Sequence, residues 1–414
     1  MPIAEPLPVG WKIRELKDVV DINCESIDPR KSFPSKFFQY IDIDSVENGT
    51  GIIQTSKEII GSNAPSRARR VVHTNDVIIS TVRPYLKAFA LVPNYLDRQI
   101  CSTGFAVLKC REEIIPHYLL YSVFSDRFIN QCNRLMVGAQ YPALNDSQLK
   151  GIQILIPPIP EQNAITAILT TVDEAIQKSR AATAGTERLK EGAMRELFTK
   201  GIGHTEFKED EVLGRIPKQW IPAKLEDIVK INRESRDPRS TAPNDYFDYI
   251  DIESIENGSG KICGAKKVLG ASAPSRARRV IHTNDVIFST VRPYLKAFAL
   301  VPKEYDNTIC STGFAVLTSQ NDLNPRYLLY SLFSDTTINQ CNKMMVGAQY
   351  PALNDTQVKN LIIPLPHDQA EHDKIATILS TIDRKLSLQR QRTAALERLK
   401  KGLMDDLLTG RRRV

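Results

Sequence analysis

The chain has 414 residues, of which 42% are hydrophobic and 25% charged, and its formal net charge is +7. This composition excludes wholesale disorder and is typical of two to four domains with full cores. Because it has neither eighteen uninterrupted apolar residues nor a signal-peptide start, we predict a cytoplasmic protein without a membrane segment. The mild positive charge is compatible with a polyanionic partner.

The sequence contains the same domain twice. Trp11 and Trp220 are 209 positions apart, and this offset holds through most of both halves. Residues 64–93 return as residues 273–302 with only two substitutions. A period this long is typical of a repeated folded body and not of a solenoid. The copies differ most between residues 50–63 and residues 259–272.

Each copy begins with a domain of mixed pattern. In the first copy, β-like runs predict strands at residues 37–43, 77–82, 86–92 and 105–108. Pro116 suits a first helical turn, and the apolar spacing after it predicts a helix over residues 118–136. We therefore predict an α/β (α+β) class for two similar domains, at residues 1–158 and 220–366.

A long helix follows each domain, at residues 159–200 and 367–414, and the polar, glycine-bearing residues 201–219 form a linker. Each helix has an apolar seam close to a heptad, and about 38 residues give a rod of about 57 Å. The sister helix is the nearest surface able to cover the seam, which predicts an antiparallel coiled coil with an internal pseudo-two-fold. The alternative is that each helix folds back on its own domain. The seam positions predicted to pack or to contact a partner are Ile165, Val172, Leu189, Leu197, Ile375, Ile382, Leu399 and Leu407.

The positive charge is concentrated in the two most similar stretches. Residues 64–93 carry five basic side chains against one acid, and so do residues 273–302. A protein that neutralises phosphates at two DNA sites needs such a distribution. The alternative is a solvated loop with an internal ion pair. The candidate DNA-binding residues are Arg67, Arg69, Arg70, Arg83 and Lys87, with Arg276, Arg278, Arg279, Arg292 and Lys296 in the second copy.

A second candidate for DNA contact is a glycine-containing loop at residues 138–146, repeated at residues 347–355. Glutamine can pair with adenine through two hydrogen bonds, so we include Gln140 and Tyr141 together with Gln349 and Tyr350. The alternative is a tight turn leading into a helix that Asn145 caps, with Tyr141 packed.

The motifs of common catalytic sites are missing from the sequence. It has no phosphate-binding loop, no dinucleotide fingerprint, no H-E-x-x-H pair and no methyltransferase motif. The seven cysteines include no C-x-x-C pair, so we expect buried reduced thiols, and His73 and His282 are expected in hydrogen bonds. These observations predict a non-catalytic protein that binds no metal.

The strings ISTVRPYLKAFALV, CSTGFAVL and YPALNDSQLKGIQILIPPIPEQNAITAILTTVD, each followed by a long helix, resemble the specificity subunit of type I restriction-modification systems. The likeness covers nearly the whole chain, although the second copy has fewer prolines at the joint in residues 364–369. It implies two target-recognition domains that bind double-stranded DNA, and helices that hold two modification subunits.

The resemblance also implies where the cofactors bind. S-adenosylmethionine would belong to the modification subunits, and ATP and Mg to restriction subunits that can join the complex, with no cofactor in this chain. Two other classes remain open, a stand-alone DNA-modifying enzyme and a coiled-coil structural adaptor. Because the two domains are so similar, we expect them to read similar half-sites on opposite strands, as an interrupted inverted repeat.

Overall fold

The computed structural model describes residues 7–136, 142–345 and 351–414. The chain divides into two compact units, one formed by Met1–Ser179 with Arg392–Val414 and the other by Arg180–Gln391. Each unit contains one copy of the repeat, with its own sheets and parts of two long helices. The predicted duplication and the α/β class are confirmed.

Unit 1 is built on two four-stranded sheets. One has the order β2-β9-β6-β7 and is antiparallel, and the other has the order β4-β3-β8-β5, in which β3 and β8 are parallel. Strands β1 and β10 form a separate antiparallel pair. The strands are β1 (Lys12–Glu15), β2 (Val20–Ile22), β3 (Phe37–Ile41), β4 (Lys57–Ile60), β5 (Ala68–Val72), β6 (Val77–Ser80), β7 (Phe89–Leu91), β8 (Gln99–Ser102), β9 (Phe105–Cys110) and β10 (Gln153–Ile156).

The helices of unit 1 are α1 (Leu16–Val19), α2 (Pro29–Ser32), α3 (Pro116–Phe124), α4 (Asp126–Leu135), α5 (Asp146–Lys150) and the first part of α6 (Ile159–Lys200). The single helix predicted over residues 118–136 is therefore wrong. Ser125 adopts an extended conformation, and its hydroxyl accepts a hydrogen bond from the backbone N–H of Phe128 at 3.3 Å. This N-cap starts α4 as a new helix.

The main core of unit 1 lies between the antiparallel sheet and helices α3 and α4. Tyr118 is fully buried, and its hydroxyl donates to the Leu155 carbonyl at 2.9 Å. Phe89 of β7 packs on Phe124 and Phe128, with ring centroids 5.6 and 6.3 Å away. The beginning of α6 contributes Ile165 to the same core. Helix α6 is thus anchored in the domain from which it emerges.

Unit 2 repeats this plan. Its four-stranded sheets have the orders β14-β23-β20-β21 and β18-β15-β22-β19. The strands are β11 (Phe207–Asp210), β12 (Gly214–Pro217), β13 (Ile221–Lys224), β14 (Val229–Ile231), β15 (Tyr246–Ile250), β16 (Ile255–Glu256), β17 (Lys261–Ile262), β18 (Lys266–Leu269), β19 (Ala277–Ile281), β20 (Val286–Ser289), β21 (Phe298–Leu300), β22 (Thr308–Ser311), β23 (Phe314–Ser319) and β24 (Ile362–Leu365). The helices are α7 (Leu225–Ile228), α8 (Pro238–Thr241), α9 (Pro325–Phe333), α10 (Asp335–Met344), α11 (Asp355–Lys359) and α12 (Gln369–Leu407).

The segment interpreted as a plain linker has structure of its own. Strands β11 and β12 pair as an antiparallel hairpin within residues 201–219. Just before the hairpin, the imidazole of His204 lies 2.9 Å from the Glu371 carboxylate, which also accepts a hydrogen bond from the Trp220 indole at 3.0 Å. These contacts tie the start of the segment to unit 2.

Helices α6 and α12 pack together in antiparallel fashion within each unit. In unit 1 the Lys400 ammonium is 2.6 Å from Asp173, and the hydroxyls of Ser179 and Thr393 are 2.8 Å apart. Positions that rise along α6 thus meet positions that fall along α12. The same direction holds in unit 2, where Lys190 is 2.7 Å from Asp383. The predicted antiparallel pairing is confirmed, and the alternative of separate helical bundles is not.

Two of the predicted seam positions are wrong. Leu189 is 54% exposed and Leu399 is 51% exposed, so both face away from the partner helix. The adjacent residues Lys190 and Lys400 take the inward positions, and their side chains are only 15% and 14% exposed. Among the other predicted seam residues, Ile165, Ile375 and Leu407 are buried, and Val172, Leu197 and Ile382 are half-buried.

Candidate nucleic-acid interface

Three loops of unit 1 are joined by backbone hydrogen bonds at the ends of the two large sheets. The backbone N–H of Thr103 donates to the Arg67 carbonyl at 2.8 Å, and that of Thr81 donates to the Gly104 carbonyl at 2.8 Å. The N–H of Arg83 donates to the Pro142 carbonyl at 3.1 Å. We call residues 65–67, 81–87 and 103–104 the loop cluster of unit 1. The structure brings these separate parts of the sequence together.

Unit 2 has the same loop cluster, formed by residues 274–276, 290–296 and 312–313. Thr312 donates to the Arg276 carbonyl at 2.8 Å, and Arg292 donates to the Pro351 carbonyl at 3.0 Å. The duplicated sequence therefore produces a duplicated surface, down to its backbone hydrogen bonds.

The loop cluster presents two exposed arginines and an exposed apolar pair. Arg67 and Arg83 are exposed, and Tyr85 and Leu86 expose 45% and 47% of their surface. Arg83 and Lys87 both have left-handed backbones, with φ of 49° and 56°, on either side of a short 3-10 turn at Pro84–Leu86. A left-handed backbone is uncommon for a residue with a side chain, so this turn is tightly constrained by its surroundings. The outward Tyr-Leu pair was not predicted from the sequence, although the proline beside it was a signal for a turn.

Arg70 lies inside unit 1 and holds its parts together. Its side chain is 17% exposed and donates to the Asn23 side chain at 2.6 Å and to the Phe105 carbonyl. It also lies 3.8 Å from Asp146, at the start of α5. These contacts favour a structural role over the predicted phosphate contact, because the donors of the guanidinium already point inward.

The equivalent Arg279 of unit 2 makes matching contacts. It donates to Asn232 and to the Phe314 carbonyl, and it lies 3.2 Å from Asp355. Arg279 is 15% exposed. The same interaction in both units shows that this arginine is part of the fold of each copy.

The remaining predicted cations are engaged but partly accessible. Arg69 pairs with Asp28 at 3.2 Å, and Arg278 pairs with Asp237. Lys87 donates to the Phe124 carbonyl at 2.9 Å, where it satisfies the end of α3. Lys296 lies 3.6 Å from Asp335. The acids that neutralise these cations come from outside the two basic stretches, so counting charge within the stretches overstates the field at the surface.

The second candidate loop is only partly described. Gln140, Tyr141, Gln349 and Tyr350 lie outside the described residues. The turn-and-cap alternative is confirmed at its end, because the Asn145 side chain accepts a hydrogen bond from the Gln148 N–H at 2.8 Å and starts α5. The undescribed residues 137–141 lead into the Pro142 carbonyl that Arg83 contacts, so they adjoin the loop cluster along the chain.

The histidines of the basic stretches form hydrogen bonds, as expected. The His73 ring is 2.8 Å from Glu25, and its backbone N–H donates to Asp76 at 2.8 Å. Burial raises the pKa of the Asp76 carboxyl. His282 is 2.9 Å from Glu234 in the same way. Both histidines organise the turn between two strands.

Within residues 7–136, 142–345 and 351–414, no group of three or more His, Cys, Asp or Glu side chains could hold a metal ion. All seven cysteines are free thiols, but the expectation that they are buried is wrong for Cys24 and Cys263, which are exposed. Over the same residues, no helix combines the length and apolarity that crossing a bilayer requires.

Comparison with known proteins identifies the family. The family model for the type I restriction modification DNA specificity domain matches residues 8–184 and 217–398. The MjaVIII specificity subunit of Methanocaldococcus jannaschii is 27% identical over 325 residues, which cover 76% of this chain and 75% of that protein. The putative MjaX specificity subunit of the same organism is 24% identical and spans 99% of this chain and 95% of its own length.

A solved structure shares the architecture. It comes from work on complex assembly and conformational transition of the type I R-M system, and it covers 98% of this chain and 99% of its own. Its sequence identity is 29% and its TM-score is 0.63. The duplicated domains, the paired helices and the family match over most of the sequence agree, and the chain therefore belongs to the type I restriction-modification DNA specificity family, as the non-catalytic specificity subunit.

Proposed function

We propose that this chain selects DNA by reading a two-part target, one part with each loop cluster, and that its long helices hold two methyltransferase subunits. The observation that carries the proposal is the duplication of the loop cluster, with the same exposed arginines and the same backbone hydrogen bonds in both units. Two like surfaces in one chain suit a target with two like parts.

The chemistry of the loop cluster fits a DNA duplex. Exposed guanidinium groups at Arg67 and Arg83 can bind phosphate or the edge of guanine. The phenol of Tyr85 can donate to phosphate, and the Leu86 side chain can pack against sugar or a thymine methyl group. Gln140 and its equivalent Gln349 remain candidates for reading adenine.

The proposed partners follow from the family. A similar solved structure concerns assembly of a type I complex, which supports modification and restriction subunits as partners here. S-adenosylmethionine would then bind to the modification subunits, and ATP and Mg to the restriction subunits. The exposed Leu189 and Leu399 occupy equivalent positions in α6 and α12 and offer a matching apolar surface to each of two modification subunits.

The deciding experiment is to map methylated adenines in cells with and without this gene. The proposal predicts one two-part motif that is methylated only when the gene is present. An unchanged methylome in cells that express the modification subunits would contradict it.

Two binding measurements separate the competing classes. A stand-alone enzyme would bind S-adenosylmethionine as a purified chain, and a structural adaptor would show no salt-dependent affinity for DNA. The proposal predicts no S-adenosylmethionine binding by the chain alone and a steep salt dependence for duplex binding.

A further inference from the structure

A part-buried triad in unit 1 joins the recognition domain to both long helices. The hydroxyl of Tyr121, on α3, donates to the Asp173 carboxylate of α6 at 2.8 Å. The Lys400 ammonium of α12 is 2.6 Å from the same carboxylate and lies 5.6 Å from the centre of the Tyr121 ring. One carboxylate therefore connects three separate elements.

Unit 2 contains the same triad with the two helices exchanged. The hydroxyl of Tyr330, on α9, donates to Asp383 of α12 at 2.6 Å. Lys190 of α6 is 2.7 Å from Asp383 and 5.8 Å from the centre of the Tyr330 ring. Each long helix thus supplies an aspartate to one triad and a lysine to the other.

The triads are well suited to fix geometry. Tyr121 and Tyr330 are 4% and 3% exposed, and burial raises the pKa of both phenols, which therefore remain hydrogen-bond donors. All four charged side chains are at least three-quarters buried, with exposures from 14% to 24%. Breaking a part-buried ion pair leaves a charge without compensation, so a displaced register is strongly disfavoured.

Both ion pairs require the same register of the helices. Asp173 precedes Lys190 by 17 positions on α6, and Asp383 precedes Lys400 by 17 positions on α12. In an antiparallel pair, equal separations allow a single register to satisfy both ion pairs. A shift by one helical turn, about 5.4 Å, breaks both and corresponds to about one and a half base-pair steps of about 3.4 Å.

We propose that the triads of Tyr121, Asp173 and Lys400 and of Tyr330, Asp383 and Lys190 are positioning sites that set the number of unread base pairs between the two half-sites. This inference rests on the proposed function. The carboxylates fix the helix register, and the buried tyrosines tie each recognition domain to it. The surrounding apolar seam is less specific, because leucine and isoleucine contacts can re-form after a slip.

The test uses the assembled complex and duplexes that carry the two mapped half-sites at the native gap or at gaps one and two base pairs shorter or longer. The variants are Y121F with Y330F, which keep the buried rings, and D173N with K400M, which remove both charges. The charge exchange D173K with K400D tests rescue. The matched control is K178M, because Lys178 is also on α6 and pairs with Glu174 but is 80% exposed.

The wild-type complex and K178M are expected to prefer the native gap. The Y121F/Y330F and D173N/K400M complexes should lose about tenfold of that preference, while the change in affinity at the native gap stays smaller. The charge exchange should restore discrimination relative to either single change. Folded triad variants that keep the wild-type gap preference would overturn the inference. A wild-type complex that binds every gap equally would instead overturn the fixed two-part target itself.

Discussion

Arg67 and Arg70 are three positions apart in the sequence but have opposite environments. Arg67 is exposed in the loop cluster, whereas Arg70 bonds to side chains and a carbonyl from other parts of unit 1. Charge density alone could not distinguish them. Substitution should, because the exposed arginine is available to DNA and the inward one supports the fold.

Changing Arg67 and Arg276 together to Gln should weaken binding to all duplexes. If each arginine neutralises one phosphate, the slope of log affinity against log salt concentration falls by about 0.9 for each phosphate no longer neutralised. If they read guanine instead, the specific site should lose about 1–3 kcal/mol per arginine while nonspecific binding changes little. Fluorescence anisotropy titrations across a salt series measure both quantities.

The control is R98Q, because Arg98 is 83% exposed and lies outside the loop cluster. R70Q should act differently and lower the free energy of unfolding by about 1–3 kcal/mol, since it leaves buried acceptors unpaired. Equal salt slopes for R67Q/R276Q and wild type would return Arg67 to the solvated-loop interpretation.

Glu161 gives a prediction about pH. It is 6% exposed and accepts hydrogen bonds from the Trp11 indole at 3.0 Å and from Arg413 at 2.9 Å. The hydrogen bond from Arg413 is the main cause that lowers the pKa of this carboxyl below its usual 4.5. A carboxyl with a lowered pKa stabilises the fold above its unfolded pKa, and that contribution disappears as pH falls through the folded value.

E161Q should therefore be less stable than wild type at pH 7, and the difference should shrink as pH falls below about 4.5. Urea unfolding midpoints from pH 7 to pH 3 provide the measurement. A difference that stays constant with pH would show that Glu161 acts through packing alone.

The sequence could identify which residues carry charge but not which charges remain available. The partners of Arg70 are 47 and 76 positions away, at Asn23 and Asp146. No local pattern encodes such contacts, because strand pairing and the placement of α5 create them. Arg67 and Arg83 were correctly expected at the surface, since turns flanked by strands leave their side chains outside.

At the scale of elements, the apolar pattern predicted the long helices but misplaced part of their seam. The structure puts Lys190 and Lys400 inward, where aspartates neutralise them, and turns Leu189 and Leu399 outward. A search for apolar residues at heptad spacing selects the leucine beside each lysine. Polar seam positions are the part of a coiled coil that such a pattern cannot find.

Leu189 and Leu399 now predict a surface effect. L189D with L399D should change the free energy of unfolding by no more than about 0.5 kcal/mol, because both side chains are exposed. The same variant should retain less modification subunit in copurification, since it places charges in the proposed apolar interface. Size-exclusion chromatography with the partner measures the retained fraction.

I165A is the contrasting variant, because Ile165 is fully buried in the core of unit 1. It should lower the free energy of unfolding by about 2–5 kcal/mol. A full complement of partner on L189D/L399D would remove these leucines from the proposed interface.

At the scale of the whole molecule, the internal repeat was the strongest information in the sequence. It predicted two folded copies, their mixed class and their paired helices without any knowledge of strand order. It could not predict the parallel pairing of β3 with β8, because the two strands are joined by contacts between distant residues. Duplication reveals what is repeated but not how each copy is wired.

The duplication also predicts the form of the target. Near-identical loop clusters should read similar half-sites, and antiparallel helices favour their placement on opposite strands. We expect a gapped inverted repeat with about five to eight unread base pairs, below the limit of about 17 that a rod of about 57 Å allows. Single-molecule sequencing of methylated adenines measures the motif.

The divergent residues 50–63 and 259–272 are the exception that this prediction allows. If they enter the groove, the half-sites should differ at one or two positions, and exchanging the two segments should exchange those bases. Two unrelated half-sites would contradict the inverted repeat.

The left-handed residues around the Tyr85–Leu86 turn have a thermodynamic consequence. Arg83 and Lys87 each hold an unfavourable backbone conformation of about 1–2 kcal/mol, with a rigid proline between them. Folding has therefore already ordered this loop before DNA arrives, and little backbone entropy is left to lose on association. A wrong sequence meets a surface that cannot remodel to suit it, so rigidity itself contributes to discrimination.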